Sequence, residues 1–466
     1  VGQCYYHEGL YDEAIEYLNK SFEVEKRAIK RHGIMEGLAR SYMKKKEYDT
    51  CIDICDGIIE ENNQYYPAYL FRQEANYKIG RYQAVINDYY TAIDIYPGFI
   101  RPYLFAIKSF FIYNQSEDVK KVIDRVEEAG LESNEFELLN IKFIRKYSEE
   151  ELELVNAIER CKGLIIKLDS EDNDIESPDS VYYEMIYLHK ELKQYGKALD
   201  LINEIISETI NKEAEVYDHM LEKGEILRKL ERYSNAVNIY KALIEKNPED
   251  SRAYYEIASS YYKLNDLDKA LENFLKTREL DPEHYNVNDN IVDIYRDKLN
   301  ELEDIDYYKK ALPYADKQLE LYEHDYYYNS RGLLHSDAYE FEKALSDYYK
   351  ALELNDNNMA ALNNAGHANL LMKDMDKAIK DLEKATSKVS IEKFRLPYAN
   401  LAKAYHIVKN YEEAIKYYKM LNKHYPDMSM YIDRLICVYQ DCKDIKNSIK
   451  WIKKLSKIKD FPRGQI

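Results

Sequence analysis

The chain has 466 residues, of which 45% are hydrophobic and only 14 are Gly and 10 are Pro. It is too long for one ordinary hydrophobic core and has too few turn residues for a protein of many short strands. Its net charge of −18 disfavours non-specific binding to nucleic acid or anionic membranes, and its 48 Tyr make disorder a poor interpretation.

The apolar segments, the N-terminal residues and the cysteines indicate the cellular compartment of the protein. No stretch approaches the roughly 18 apolar residues that a membrane span needs. The first residues follow a helical pattern rather than that of a signal peptide. The six cysteines are scattered, and Cys51 and Cys55 share one helix face as small core residues. We therefore expect a reduced, cytoplasmic protein with no membrane span.

The front of the chain carries degenerate copies of a repeat. Cys51, Val85 and Val119 occupy equivalent positions 34 residues apart. Gly2 falls in the middle of a first helix, which predicts that the chain starts inside a repeat of a longer protein. We expect residues 1–168 to be degenerate helical repeats.

An apolar strip is predicted on the first helices of this front part. It could hold an amphipathic helix or a hydrophobic peptide, or its residues could pack on one another. The candidate residues of this possible apolar groove are Leu70, Phe71, Leu104, Phe105 and Phe111.

Residues 169–179 (DSEDNDIESPD) are acidic, poor in apolar residues and contain Pro. We expect a solvated loop and a bend here, which separates the front from a regular array over residues 180–466. Two irregularities interrupt that array. The repeat at residues 297–308 is about seven residues too long, and residues 387–396 add two more.

The regular array shows the repeat most clearly. Ala236 and Ala270 are 34 residues apart, as are Ala344 and Ala378, and Pro282 follows the second helix of its repeat. Two helices that cross closely need small residues at the crossing, and Pro stops the second helix. Small residues occupy the crossing on the first helices at Gly224, Ala258, Gly332, Gly366 and Ala402.

This skeleton resembles the tetratricopeptide repeat (TPR), which places Leu-Gly, Tyr, Ala, an aromatic and Pro over 34 residues. The resemblance covers nearly the whole chain. It implies an all-α fold, a right-handed α-solenoid of about thirteen stacked antiparallel helix pairs (a TPR superhelix). It also implies that the first helix of each repeat lines the concave surface.

Polar side chains are predicted on the concave face of the last repeats. Asparagine offers a donor and an acceptor together, which suits an extended peptide backbone, and it is unfavourable inside helices. A bias of the whole chain towards Lys, Ile, Asn and Tyr is the alternative explanation. The candidate peptide-binding residues are Asn329, Asn363, Asn364, His367, Asn400, Lys403 and His406.

An acidic zone precedes these residues on the same predicted face. It could attract a basic segment, although exposed ion pairs contribute only about 0–1 kcal/mol, or it could be a solvated surface. Its members are Glu184, Glu222, Glu225, Glu256, Asp289 and Asp293.

The end of the chain is basic. From Lys388 onwards there are 17 Lys and Arg against 8 Asp and Glu, a net charge of +9. The last helix places Trp451, Ile452, Leu455 and Ile458 between lysines. We read it as a C-terminal capping helix, and alternatively as a basic amphipathic helix that contacts a membrane or an acidic helix.

No catalytic, cofactor-binding or metal-binding residue is predicted. The phosphate-loop, zinc-protease and nucleophile-elbow motifs are absent, and no His has a second ligand at metal spacing. Some TPR proteins bind chaperone C-terminal tails through Lys, Asn, Asn, Lys and Arg, and such a partner is disfavoured here. The equivalent positions hold Asn329, Leu333, Asn364, Leu396 and Asn400, of which only Asn364 matches.

The sequence therefore predicts a non-catalytic scaffold that binds a protein or peptide on its concave face. Two alternatives stay open. The chain could be the regulatory or substrate-recruiting arm of an enzyme whose catalytic domain precedes Val1, or it could be a sensor of signalling peptides.

Overall fold

The computed structural model describes residues 1–168, 174–175, 179–208 and 213–456, and these residues form 26 α-helices with no strand among them. The predicted all-α class is confirmed. The helices belong to two compact units, Val1–Leu230 and Glu231–Ile466, called unit 1 and unit 2 below. Odd-numbered helices are the first helices of their repeats, and even-numbered helices are the second.

Unit 1 contains thirteen helices within its described residues. Their bounds are α1 Gly2–His7, α2 Tyr11–Val24, α3 Ala28–Lys44, α4 Tyr48–Glu61, α5 Tyr66–Lys78, α6 Tyr82–Ile95, α7 Arg101–Ile112, α8 Ser116–Glu128, α9 Asn134–Tyr147, α10 Glu151–Lys167, α11 Asp179–Glu191, α12 Tyr195–Glu208 and α13 Glu213–Lys229.

Unit 2 contains another thirteen in the part of it that the structure describes. They are α14 Tyr233–Lys246, α15 Ser251–Lys263, α16 Leu267–Leu280, α17 Val287–Leu302, α18 Asp306–Leu321, α19 Asp325–Asp337, α20 Phe341–Leu354, α21 Met359–Leu371, α22 Met375–Lys388, α23 Leu396–Ile407, α24 Tyr411–His424, α25 Ser429–Asp441 and α26 Ile445–Leu455.

Within each unit the helices stack in chain order. Each helix packs on its sequence neighbours, and most first helices also contact the first helix of the next repeat, as α19 contacts α21 and α21 contacts α23. Second helices make no comparable contact with one another among the described residues. Within each unit, the first helices that contact one another therefore form a shared surface, called the first-helix face of that unit. Stacking supplies the core that no single helix pair could bury alone.

The turn between the two helices of a repeat has a defined backbone. After α21, the amide of Asp374 donates to the carbonyl of Asn369 (2.9 Å) and that of Lys373 donates to Leu370 (3.2 Å). This pair of hydrogen bonds is the Schellman motif, which needs a residue at positive φ. Lys373 supplies it with φ 64°, and Asp374 then caps α22. The turn thus ends one helix and starts the next within three residues.

Small residues are needed where the helices of a pair cross. A Cβ placed on Gly332 would lie 2.6 Å from the ring of Tyr348, and one on Gly366 would lie 2.5 Å from Cγ of Leu382. Both partners are fully buried. The predicted crossing positions therefore bring the backbone of the first helix against side chains of the second helix.

The predicted irregularities have a structural form. The long repeat consists of two 16-residue helices, α17 and α18, and α18 contains Pro313. The two extra residues lie in the connection between α22 and α23. Most of the predicted acidic loop at 169–179 lies outside the described residues. Of its described members, Ile175 is buried, and Asp174 accepts a hydrogen bond from the amide of Glu135 (3.0 Å).

Candidate functional site

Four asparagines on three successive first helices of unit 2 form a chain of hydrogen bonds. Asn400 on α23 donates from Nδ2 to Oδ1 of Asn363 on α21 (2.9 Å). Asn363 donates to its neighbour Asn364 (3.2 Å), and Asn364 donates to Asn329 on α19 (3.0 Å). This asparagine ladder crosses the first-helix face and links three repeats. The link between repeats is a reason for these residues that sequence reasoning did not find.

Only part of the hydrogen-bonding capacity of the ladder is used by the ladder itself. A side-chain amide has two N–H donors and two acceptor lone pairs, and each ladder bond uses one of each. Asn329 and Asn363 are buried, at 8% and 5% exposure, whereas Asn364 and Asn400 are half-buried. The accessible amides of the ladder are therefore those of Asn364 and Asn400.

The other predicted residues surround the ladder. Half-buried His367 lies one helical turn after Asn364, and its burial, followed by the charge of Lys403, lowers the pKa of its imidazole. Lys403 is exposed on α23. His406 is not free, since its Nε2 lies 2.7 Å from Oδ2 of Asp441 on α25. A neutral imidazole and one exposed ammonium thus accompany the amides.

Carboxylates on α17 border the ladder on its N-terminal side. Buried Asp289 accepts a hydrogen bond from Ser330 Oγ (2.6 Å), and burial raises the pKa of Asp289. Asp293 follows one turn later, and Arg296 Nη1 lies 3.2 Å from its Oδ1. Burial, and then the charge of Asp289, raise the pKa of Asp293 to about 6. These two members of the predicted acidic zone therefore reach the first-helix face of unit 2.

The pKa of Asp293 predicts how stability depends on pH. Its folded-state value of about 6 is above the ordinary 3.8, so the folded chain holds this proton more tightly than the unfolded chain. The resulting stability is present below the ordinary value and is lost as the pH rises through about 6. We expect Asp293→Asn to melt above the parent chain at pH 7.5 and to come closer to it at pH 4.5.

A suitable control for this experiment is Asp376→Asn, at an exposed position on α22. The difference in melting temperature between Asp376→Asn and the parent should be the same at both pH values. A constant difference for Asp293→Asn as well would contradict the prediction. The charges facing Asp293 are Asp289, Arg296 and Asp297, and all three remain in both variants.

The acidic residues of the zone in unit 1 are already paired. Arg145 Nε donates to buried Glu184 (2.7 Å). Lys190 donates to Glu222 (2.7 Å) and lies 3.1 Å from Glu225. These ion pairs connect first helices of neighbouring repeats, so much of the charge predicted for a basic partner is balanced within the chain.

The predicted apolar strip of unit 1 is largely packed on itself. Leu104 is buried and does not line an open groove, whereas Leu70, Phe71, Phe105 and Phe111 are half-buried. The ring centroids of Phe105 and Tyr77 are 5.4 Å apart, and those of Phe111 and Tyr147 are 6.3 Å apart. Cationic side chains cover part of the remaining aromatic surface. The guanidinium of Arg40, for example, lies over the ring of Phe71. Aromatic contact between repeats explains these side chains better than an empty groove does.

A clamp in which a half-buried arginine holds a buried carboxylate recurs in both units and was not recognised in the sequence. In unit 2, Arg331 on α19 donates to both oxygens of Asp347 on α20 (2.8 and 2.7 Å) and to Asp316 on α18 (2.7 Å). In unit 1, Arg72 makes the same contacts with Asp88 and Asp56. The signal was available, because in each case the second-helix carboxylate lies 16 residues after the arginine. The clamp joins a first helix to the second helices on both sides.

Two features are absent from the described residues. No group of three or more His, Cys, Asp or Glu there is arranged to hold a metal ion. None of the described helices combines the length and apolarity required to cross a bilayer.

Family comparisons agree with the repeat pattern and the stacked helix pairs. One tetratricopeptide repeat model matches residues 221–285, and a second matches residues 1–27, 360–387 and 397–420. The chain is a tetratricopeptide repeat protein.

Two curated relatives are similar to parts of the chain, and one of them is named for the same repeat. A TPR repeat-containing protein of Methanocaldococcus jannaschii is 23% identical over 389 residues, which are 77% of this chain and 63% of that protein. The Hsp70-Hsp90 organizing protein 3 of Arabidopsis thaliana is 28% identical over 137 residues, which are 28% of this chain and 24% of that protein. The chain therefore spans less than two thirds of the length of these relatives.

Two solved structures align with nearly the whole chain at low sequence identity. One is a chain of the APC/C hetero-tetramer of Cut9 and Hcn1, which is 14% identical to this chain. The alignment covers 99% of this chain and 93% of the Cut9–Hcn1 chain, with a TM-score of 0.41. Yeast Tom70 is 15% identical, with coverage of 98% and 97% and a TM-score of 0.40.

Proposed function

We propose that this chain is a non-catalytic interaction scaffold that binds an extended protein segment across the asparagine ladder on the first-helix face of unit 2. The observation that carries the proposal is the chain of four amides over three successive repeats. TPR proteins bind proteins or peptides, and this face offers donors and acceptors at a regular repeat spacing.

The ladder suits a peptide backbone because it holds the amides in place. Each amide is oriented by its neighbour, so little side-chain entropy is lost when a ligand binds. Asn364 and Asn400 each retain a donor and a lone pair, which match the alternating N–H and C=O groups of an extended chain. Recognition of this kind depends on the backbone and tolerates many side chains.

The residues beside the ladder add modest selectivity. Exposed Lys403 would favour a nearby acidic side chain on the ligand by about 0–1 kcal/mol. His367 contributes a neutral imidazole at neutral pH, because burial and Lys403 lower its pKa. The acidic side of the face, at Asp289 and Asp293, would disfavour a carboxylate at the other end of the ligand.

Removal of the two accessible amides tests the proposal. Asn364→Ala with Asn400→Ala should weaken binding of extended peptides by about tenfold or more, because two pairs of backbone hydrogen bonds are lost. Dodecapeptides selected from a random library on the parent chain, and labelled for fluorescence anisotropy, are the probes. The matched control is Asn235→Ala with Asn238→Ala, which changes two exposed asparagines on the second helix α14.

The same variant should lower stability only modestly. It breaks all three ladder bonds, at a cost of roughly 1 kcal/mol each. Replacing Asn by Ala inside a helix recovers up to about 0.7 kcal/mol per residue. The net loss is about 1–2 kcal/mol, so the variant should melt cooperatively and only somewhat below the parent. Unaltered peptide binding in the ladder variant, or equal weakening in the α14 control, would contradict the proposed site.

A chaperone tail is not the ligand we propose. The name of the Arabidopsis relative concerns Hsp70 and Hsp90, but the basic residues that grip a terminal carboxylate are missing here. Leu333 and Leu396 stand at two of those positions and offer no donor. We also propose a reducing, cytoplasmic setting, since all six cysteines are free and Cys51, Cys55 and Cys161 are buried.

A further inference from the structure

The outward side of α10 in unit 1 carries large apolar residues that its neighbouring second helices lack. Leu152, Val155 and Ile166 are exposed, at 69%, 39% and 83%. Helical spacing places them together on the side of α10 opposite to its buried residues Ala157 and Cys161. Within their described residues, α8 and α12 expose no large hydrophobic side chain. The core of the repeats therefore does not explain these three residues, which are called the α10 stripe below.

Gly163 lies beside the α10 stripe and is not explained by packing within the described chain. Glycine in a helix interior is less favourable than alanine, so it usually marks the close approach of another element. Gly332 and Gly366 show such an approach, because a Cβ on either would collide with a side chain of the paired helix. At Gly163, apart from the backbone of α10 itself, no atom of the described residues lies within 4 Å of the Cβ position. A second helix packed on the α10 stripe would supply the missing neighbour.

The spacing of these residues makes the outward side of α10 complementary to itself. Leu152 and Ile166 lie seven residues before and after Glu159. Val155 and Gly163 lie four residues before and after the same glutamate. When two copies of α10 run antiparallel with Glu159 at the centre, Leu152 of one copy therefore lies at the level of Ile166 of the other. Val155 likewise lies at the level of Gly163 of the other copy, where the missing side chain leaves room for it.

The charges along α10 select the antiparallel orientation. The first turn of the helix is acidic, with Glu151 and Glu153, whereas its last turn is basic, with Lys167. Antiparallel pairing sets the acidic end of each copy beside the basic end of the other, whereas parallel pairing would bring like charges together. At the centre, Glu159 already pairs with Lys162 (2.6 Å), so the two carboxylates that meet there come with two ammonium groups.

We infer that α10 is a self-association surface, on which a second copy of this chain docks its own α10 in antiparallel orientation. The occupant is a second copy because the surface matches itself in size and in charge. An isologous two-fold contact requires such a match, whereas a contact with an unrelated segment does not. Two 17-residue helices form a smaller interface than the roughly 1,200–2,000 Å² of stable complexes. The association is therefore weak, with a Kd of about 10 µM to 1 mM.

Sedimentation velocity of the full chain at concentrations between about 10 µM and 1 mM tests the inference. The sedimentation coefficient of the parent should rise with concentration towards that of a dimer. Leu152→Gln with Ile166→Gln should raise the Kd about tenfold or more, because the apolar contact is lost. Val24→Gln, which changes an aliphatic residue 77% exposed on α2, is the control and should associate like the parent. A parent that stays monomeric, or an association that the α10 variant leaves unchanged, overturns the inference.

Exchange of charges separates a second copy from any other occupant. Glu151→Lys with Glu153→Lys makes both ends of α10 basic, and Lys162→Glu with Lys167→Glu makes both ends acidic. Each variant alone should lose self-association about tenfold or more, because like charges then meet. An equimolar mixture of the two variants should associate again, because each basic end then meets an acidic end. Failure of the mixture to associate overturns the inference, since pairing of α10 with α10 requires the recovery.

A single cysteine at the centre of α10 tests the antiparallel orientation. Glu159→Cys places two thiols at the two-fold axis, so mild oxidation should link it into dimers faster than Asp94→Cys, which changes an exposed position on α6. The parent chain measures the background from exposed Cys4 and Cys437. Equal rates for the two cysteine variants overturn the inference. All the substituted positions are exposed, so the variants should melt close to the parent, and the asparagine-ladder variant should self-associate like the parent.

Discussion

Arg331→Met should lower the free energy of unfolding of unit 2 by about 3–5 kcal/mol, the usual effect of removing one partner of a buried ion pair. The side chain of Asp347 is only 7% exposed and would lose two hydrogen bonds from the guanidinium. Its remaining neighbour is His335, whose Nε2 lies 3.6 Å away. Burial lowers the pKa of His335, so it is a poor substitute cation.

Arg331→Lys should have an intermediate effect. Lysine keeps the charge but cannot donate two parallel hydrogen bonds to one carboxylate while it also reaches Asp316. Lys276→Met, which breaks the surface pair with Glu279, is the control and should leave stability nearly unchanged.

Hydrogen exchange in urea provides a local measurement for these variants, because α19 and α20 can be followed separately from the rest of the chain. A loss below about 1 kcal/mol for Arg331→Met would mean that the clamp contributes little. Arg72→Met is the equivalent change in unit 1 and should destabilise α5 and α6 in the same way.

Gly332→Ala should destabilise unit 2 by about 1–3 kcal/mol, the usual cost of overpacking a core. The added methyl would lie 2.6 Å from the ring of Tyr348 and 3.3 Å from the carbonyl oxygen of Ala344. Neither the fully buried ring nor the backbone can move away without separating the two helices. The better helix propensity of Ala, worth up to about 1 kcal/mol, offsets only part of this cost.

Gly163→Ala is the matched control for this change. Gly163 lies inside α10, and nothing lies within 4 Å of the place where its Cβ would be. The same substitution should there stabilise the chain by roughly 0.5–1 kcal/mol through helix propensity alone. Opposite signs in urea unfolding are therefore expected. In the repeat formed by α23 and α24, Ala402 occupies the position equivalent to Gly332. A neutral effect of Gly332→Ala would contradict the prediction, because it would mean that α19 and α20 can move apart far enough to accept the same methyl group.

The fold followed from the sequence because a repeat is a local pattern copied many times. The 34-residue spacing of small residues and the prolines after second helices predicted the helix pairs, and the described residues contain them. The long repeat at α17 and α18 was also predicted from its residue count. Sequence reasoning missed the turn residue at positive φ, because Lys373 and several of its equivalents, such as Lys409 and Lys443, are not the Gly or Asn expected there.

The candidate site was only partly predictable. The position of Asn364 and Asn400 on first helices follows from their register within the repeat. Their hydrogen bonds to buried asparagines on neighbouring helices do not, because those bonds depend on how far apart two repeats stack and how their helices are rotated. The ion pairs of Glu184 and Glu222 and the aromatic contacts of Phe105 and Phe111 could not be predicted for the same reason, since they also join neighbouring repeats.

Sequence alone thus determined the class of the protein, the phase of its repeats and the side of each helix that faces its neighbours, since helical periodicity sets these locally. Tertiary structure decided which polar groups are already satisfied and which remain available. Arg331 and Asn364 look alike in the sequence, as polar residues on first helices. Contacts between helices separate the clamp, in which each guanidinium nitrogen of Arg331 already donates to a carboxylate, from the ladder, in which Asn364 and Asn400 still have donors and lone pairs to offer.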